Sequence, residues 1–453
     1  MLTICKNNRQ TVIKNINKQR LDAIVPSSSD FIDEIILAMI QDGIIDCLHN
    51  DLSDKRRHNA FIPFKLMMTL AIAAKMKVRT SLTDIPYAIS DHRVLAKLGY
   101  NIINHNSDEL FTEGTIRYLL GKYSANEWVE YYNRVLRKTI FSKKEIEPNI
   151  HILDCTKIAV NYDNTNYENS SIAYDRKGNK MRGYKLSTLR GLYKDTGLIE
   201  EIRFGTASVH DLHLSEEMLK TSKCLKKGDI LINDRGFLSR ELINYLKLYK
   251  SVDTYVPLRH NMVAFEQAVF GAKDQNDWLP HPSRKHQYIT LVSDMGVFWE
   301  SDHRYEDVPI NTCVVWDKEA DMYFVFATTD TSASASDIIR IYELRTEIEE
   351  DFRQLKDFWK LEDFKSTKYN VITFHIICVL LGYLFYQLYI NSECGQQYLG
   401  KSLPVLLKKY KPTFLNHLVL YSGDYFCCMN IKEFFEFRDE CDTEVQRFLL
   451  RFF

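Results

Sequence analysis

The chain has 453 residues, 45% of them hydrophobic, with 59 basic against 60 acidic side chains and a formal net charge of −1. That length allows about three domains with real cores, and the charge balance excludes a global attraction to a polyanion, so any nucleic-acid contact must come from local clusters. Ten cysteines without a Cys-x2-Cys pair exclude a zinc knuckle and a disulfide framework; reduced thiols and a cytoplasmic location are the expectation.

The first 20 residues carry Lys6, Arg9, Lys14, Lys18 and Arg20 with no acid. A polar, basic start of this kind has no apolar core, so no signal peptide is expected. Apolar residues at three-four spacing predict helices over Phe31 to Leu48, Phe64 to Met76, Thr115 to Tyr123 and Glu127 to Thr139. Thr112 is a candidate cap, with Arg117 available to phosphate. Lys55-Arg56-Arg57 forms a second basic cluster. The region 1–145 therefore reads as an α-helical N-terminal domain, by its own residues a packing or dimerisation module.

From Ile150 the pattern changes. Short apolar runs predict strands near 150–160, 184–192, 198–205, 229–233 and 252–257, with helices near 211–222 and 239–249, the latter capped by Ser239 with Leu242, Leu246 and Tyr249 on one face. Asp154 lies on the first of these strands, and Asp234 ends the run Ile230-Leu-Ile-Asn before an Arg-Gly turn. An aspartate before Arg-Gly is commonly just a turn former. Between the two aspartates, residues 175–190 hold Arg176, Lys177, Lys180, Arg182, Lys185 and Arg190 against Asp175 alone, a solvated face or a phosphate-binding one.

Residues 257–325 carry further β-branched and aromatic runs at Tyr288, Val297-Phe-Trp299, Thr312 to Trp316 and Met322 to Phe326, which predict a β-rich insertion. Trp299 and Trp316 read as core tryptophans, or as platforms for a displaced base.

A helix is predicted over 334–360. Taking Tyr342 as zero on a helical wheel, Arg345, Glu349 and Lys356 fall at about 300°, 340° and 320°, one polar stripe. Leu344, Ile348, Phe352, Leu355 and Trp359 fall between about 200° and 280°, the buried face. Glu343, Glu347, Glu350 and Asp351 point elsewhere, and most of them are expected to be solvated. Val371 to Ile390 is long and apolar enough for a membrane span, but His375, Gly382, Gln387 and five aromatics interrupt it. A helix buried against the catalytic sheet is expected instead, and no membrane.

Two strand-borne aspartates and one helix-borne glutamate are the ligand set of two-metal phosphoryl chemistry, with oxygen donors that suit Mg²⁺ or Mn²⁺ rather than zinc. The chain resembles the bacterial insertion-sequence transposases with an Asp-Asp-Glu triad. More narrowly, it is similar to the insertion-sequence-four group, whose signature Tyr-x2-Arg-x3-Glu-x6-Lys appears intact as Tyr342, Arg345, Glu349 and Lys356. The Arg182 to Leu186 and Ser208 to Asp211 segments also look like family features.

The resemblance implies a mixed α/β fold, an RNase H-like catalytic core with helices on both faces of a mixed sheet. In that reading 1–145 is a helical DNA-binding domain, 146–256 and 326–392 form the core, 257–325 is the insertion and 393–453 a C-terminal region. It further implies that Asp154, Asp234 and Glu349 are catalytic acids binding two Mg²⁺ or Mn²⁺ ions, and that Tyr342, Arg345, Lys356, Arg182 and Lys185 contact DNA. The partners implied are double-stranded DNA, as element terminal inverted repeats and target, and a second protomer in a homodimer on DNA. The rival readings are a catalytically silent, transposase-derived DNA-binding protein and a stand-alone RNase H-like nuclease.

Overall fold

The computed structural model describes residues 3–49, 55, 62–101, 110–143, 148–175, 177–193, 196–295, 308–410 and 413–453. Arg56, Arg57, Arg176 and the run Val297 to Trp299 lie outside the described residues. The chain divides into two compact units, residues 144–354 and residues 1–143 with 355–453.

The first of these is mixed α/β. Its elements are β1 (Ile150–Val160), β2 (Ser171–Tyr174), β3 (Lys180–Tyr193), β4 (Thr196–Thr206), α1 (Asp211–Thr221), β5 (Ile230–Asn233), α2 (Arg240–Tyr245), β6 (Asp253–Pro257), α3 (Val263–Gln275), β7 (Leu279–Pro280), β8 (Gln287–Met295), β9 (Ile310–Asp317), β10 (Met322–Thr328), α4 (Ala335–Glu343) and α5 (Thr346–Asp357). One ten-stranded sheet holds every strand, in the order β7-β8-β9-β10-β6-β5-β1-β3-β2, with β4 also pairing β3. The central pairs β1–β5 and β5–β6 are parallel, and the flanking pairs β1–β3, β3–β4 and β6–β10 are antiparallel. Central parallel strands are covered on both faces and so carry continuous apolar runs, as Ile152, Leu153, Leu231 and Ile232 do, all fully buried.

The segment 257–325, expected to be a β-rich insertion, also carries a helix. It opens with the thirteen-residue α3, whose Ala264, Phe265, Ala268 and Ala272 share one core with Val292, Val314 and Val325 of the insertion and with Ile243 and Val256 of the neighbouring core elements. Its strands extend the central sheet through the β10–β6 pairing. The helix after Ser239 also differs. Ser239 caps it as expected, accepting from Leu242 N–H at 3.3 Å, but Leu246–Lys250 is a π-turn. The wider winding moves Tyr249 off the Leu242 and Leu246 face, and it is 76% exposed.

In the second unit the expected N-terminal helices form as Phe31–Gln41, Phe64–Met76, Glu113–Leu120 and Ala125–Lys143. The first stops early because Gly43 takes a left-handed conformation (φ 73°) and a 3₁₀ turn, Ile44–Leu48, follows. Thr112 occupies the cap position of Glu113–Leu120 without bonding through its side chain, and Arg117 pairs with Glu113.

Tyr369–Ile390 is long and apolar enough to cross a membrane, yet 94% of its most apolar stretch is buried inside the protein. Within its own unit it packs among the helices Phe31–Gln41, Phe64–Met76 and Ala125–Lys143. Phe374 meets Trp128 with ring centroids 5.0 Å apart. A Cβ at Gly382 would come within 2.9 Å of Met76 Cγ, so the glycine permits that close helix packing. The C-terminal region completes a four-stranded sheet ordered Lys6–Asn7, Tyr425–Asn430, Thr413–Ser422, Ala23–Ser29. The two ends of the chain thus fold together around Val12, Ile24, Leu420 and Phe434.

Candidate active site

Leu153 and Asn233 are register partners on the parallel strands β1 and β5. The next residue in each segment is an aspartate, Asp154 within β1 and Asp234 just past the end of β5, so the strand pairing brings the two close together. Asp154 is buried, and its Oδ1 accepts from Cys155 N–H at 2.7 Å. Asp234 leaves the strand as the cap of a 3₁₀ turn, its Oδ1 accepting from Arg235 N–H at 2.8 Å.

Glu349 comes from α5, and Arg345 ties it to the sheet. The guanidinium donates through Nη1 to Asp154 Oδ2 at 3.1 Å and through Nη2 to Glu349 Oε1 at 2.6 Å. Asp234 lies within electrostatic reach of both Asp154 and Arg345. Burial pushes the Asp154 carboxyl up to about 6; the Cys155 N–H and Arg345 oppose the rise, while Asp234 and Glu349 add to it.

The signature does not lie on one continuous helix. The backbone between α4 and α5 closes with i to i+3 bonds, Leu344 N–H to Ile341 O at 3.2 Å and Arg345 N–H to Tyr342 O at 3.0 Å, a tight 3₁₀-type turn. The stripe counted at 100° per residue therefore breaks at Leu344. Tyr342 still reaches the site: its ring lies 4.8 Å from that of Phe326, Arg345 is within electrostatic reach, and burial pushes the phenol up to about 12. A cavity of about 190 Å³ opens beside Tyr342 and Arg345, lined also by Phe326, His281 and Arg284. Lys356 lies farther along α5, beyond the division of the chain at Leu355, and pairs with Glu362 at 3.1 Å.

The basic cluster at 175–190 separates into two kinds of side chain. Arg182 is half-buried, donating to the Tyr162 carbonyl at 3.0 Å. Lys185 is buried; its ammonium pairs with Asp211 at 2.5 Å and donates to the Val209 carbonyl. Its partners explain why the Arg182 to Leu186 and Ser208 to Asp211 segments go together. Trp316 is already engaged, stacked on Tyr323 at 6.3 Å with a 10° interplanar angle.

Sequence reasoning missed a second polar anchor. Asp351, expected among the solvated acids of α5, is buried and accepts from Arg190 Nε at 2.5 Å, and Glu347 accepts from Arg190 Nη1 at 2.8 Å. Gly191 and Gly197, inside strand-like runs, were the available signal, since such glycines mark bulges or close approaches.

Among the described residues no group of three or more His, Cys, Asp or Glu side chains is gathered closely enough to hold a metal ion as it stands. The reason is geometric: the Arg345 guanidinium lies between Asp154 and Glu349 and supplies the positive charge there. The donor set, carboxylate oxygens around a cation, nonetheless fits a hard divalent ion.

A family model described as "Transposase DDE domain" matches residues 147–385, more than half of the chain. The chain belongs to the DDE transposase family, enzymes that act on DNA and typically use divalent metals. No curated protein sequence matches it.

Proposed function

We propose that the protein cuts DNA at the ends of a mobile element and joins those ends to target DNA, with Asp154, Asp234 and Glu349 as the catalytic acids. The single observation that carries this reading is the convergence of the three carboxylates, from two adjacent strand positions and one helix, around the Arg345 guanidinium. The order β4-β3-β1-β5-β6, three antiparallel strands followed by two parallel ones, supports an RNase H-like core. The intact Tyr342, Arg345, Glu349 and Lys356 spacing supports the insertion-sequence-four group.

Asp154, Asp234 and Glu349 would hold two Mg²⁺ or Mn²⁺ ions, Asp154 and Glu349 giving up the contacts they now make with Arg345. Bound ions supply activation of a water nucleophile and stabilisation of the leaving oxygen. Arg345, once released, offers its planar fork to a phosphate, and Tyr342, neutral at all working pH, donates a hydrogen bond beside it. Water cleaves the phosphodiester at the element end, and the freed 3′-hydroxyl attacks target DNA. Lys356 and Arg182 extend the phosphate grip. Lys185, with its ammonium already paired, supports β3 against α1 instead.

Region 1–145 is the reading for terminal-repeat recognition, and a homodimer on DNA for the paired cutting of two ends. The test is Asp234→Asn. It is expected to retain binding to element-end DNA and lose Mg²⁺-dependent cleavage; normal cleavage by this variant would refute the assignment.

A further inference from the structure

Helix α5 meets the sheet along an apolar centre with a polar group on each side. With Ile348 as zero, Phe352 lies at about +40°, Glu349 at about +100°, Asp351 at about −60° and Glu347 at about −100°. Ile348 and Phe352 are buried. Glu349 flanks them on one side, held by Arg345. Glu347 and Asp351 flank them on the other, held by Arg190.

Arg190 comes from the sheet. It is the register partner of Ile152, as Thr188 is of Asp154, and cross-strand partners share a face. The face that presents Asp154 to Arg345 therefore also presents Arg190 to Asp351. Two local features clear its path. A register shift between Leu189 and Arg190 skips Glu200 on β4, a bulge that re-aims side chains. Gly197 on β4 has no Cβ, and one built there would fall 1.9 Å from Arg190 Cζ. The guanidinium crosses over the glycine to reach the helix. An arginine 5% exposed, bonded to one carboxylate 4% exposed and to a second that is half in solvent, is a costly arrangement unless it fixes something.

We propose that Arg190 is a positioning residue for Glu349: with Asp351 and Glu347 it locks the rotation of α5 about its axis, so that the Glu349 carboxylate faces Asp154 and Asp234. The inference rests on the catalytic reading of those three acids. With side chains about 5–6 Å from a helix axis, a rotation of roughly 10° moves a carboxylate about 1 Å, and a misplacement of that size costs about 100-fold in rate. Apolar packing of Ile348 and Phe352 alone resists such a small rotation poorly, because a hydrophobic contact is non-directional.

The experiment uses the full-length protein with Arg190→Met/Asp351→Leu, which replaces the buried pair by apolar groups of similar size and leaves folding nearly intact. Cleavage of labelled element-end DNA is followed under saturating and limiting DNA, alongside amide exchange of residues 346–354 and the melting temperature. The expected result is a kcat about 100-fold lower, an end-DNA KM within about twofold of wild type, faster exchange confined to 346–354, and an unchanged melting temperature. Arg190→Lys, which keeps one charge but not the fork, is expected to recover part of kcat. If wild type cleaves and the double variant cleaves equally fast, the positioning role is refuted alone. If wild type binds element ends but does not cleave, the catalytic reading fails, and the role for Arg190 fails with it.

Discussion

Arg345 Nη1 sits 3.1 Å from Asp154 Oδ2, so the buried acid on β1 is paired by a residue of the turn that leads directly into the helix bringing the last acid. The same guanidinium holds Glu349. The arginine thereby places a positive charge between Asp154 and Glu349, two carboxylates that would otherwise repel one another.

Arg345→Met separates the arginine's two roles. Without the competing positive charge, the DNA-free protein is expected to bind Mn²⁺ more tightly, on the order of tenfold from the loss of one nearby unit charge in a half-buried site. Cleavage of element ends is expected to fall about 100-fold, because the phosphate loses its fork. Calorimetric titration with Mn²⁺ and a cleavage time course measure the two effects. Weaker Mn²⁺ binding in the variant would contradict the picture of Arg345 as a cation stand-in.

A second buried cluster makes stability depend on pH. His151, on β1, bonds through Nδ1 to Glu200 at 2.8 Å and through Nε2 to Asp229 at 3.1 Å. Glu200 reaches it across Gly191, where a Cβ would lie 2.6 Å from Glu200 Cδ. Burial disfavours the imidazolium, yet the two carboxylates outweigh it and raise the histidine to about 9. A histidine raised in the folded state stabilises fully below its unfolded value of about 6.5, and that contribution is lost as pH rises through about 9. The melting temperature is therefore expected to fall between pH 7 and 9, by an amount worth a few kcal/mol, and His151→Gln is expected to flatten that fall. An equally steep fall in the variant would show that other groups cause it.

Lys185 and Arg182 are neighbours in sequence with different predicted phenotypes. Lys185→Met strips the partner from a buried contact of Asp211 and is expected to lower the melting temperature while leaving the salt dependence of DNA binding unchanged. Arg182→Ala is expected to reduce the slope of log affinity against log salt by about one, the mark of one lost phosphate contact. Melting curves and binding isotherms at several salt concentrations check both. A reduced slope for Lys185→Met would return it to the DNA-binding surface.

The proximity of Asp154, Arg345 and Glu349 was legible because it depends on local patterns. Asp154 and Asp234 end apolar runs, and Arg345 and Glu349 stand four apart, a spacing the tight turn after Tyr342 leaves intact. What could not be read depends on partners distant in sequence. Asp351 looks like a solvated helix acid until Arg190, 161 residues away, is brought over Gly197. Nothing near Lys185 in the sequence announces its pairing with Asp211. The same reason hid the sheet shared by Ala23–Ser29 and Thr413–Ser422: strand pairing across the whole chain leaves no periodicity in either segment. The helix neighbours of Tyr369–Ile390 were not legible because a uniformly apolar helix does not say which neighbours bury it.

The most direct measurement is a denaturing-gel assay of the purified protein with Mg²⁺, DNA carrying the source element's ends and a supercoiled target, run beside Glu349→Gln and beside wild type in EDTA. The account predicts cleavage at the element ends with joining to the target, absent both in the variant and without metal. Cleavage without joining would instead indicate a nuclease. Binding of the ends by wild type with neither reaction would contradict the catalytic role of Asp154, Asp234 and Glu349.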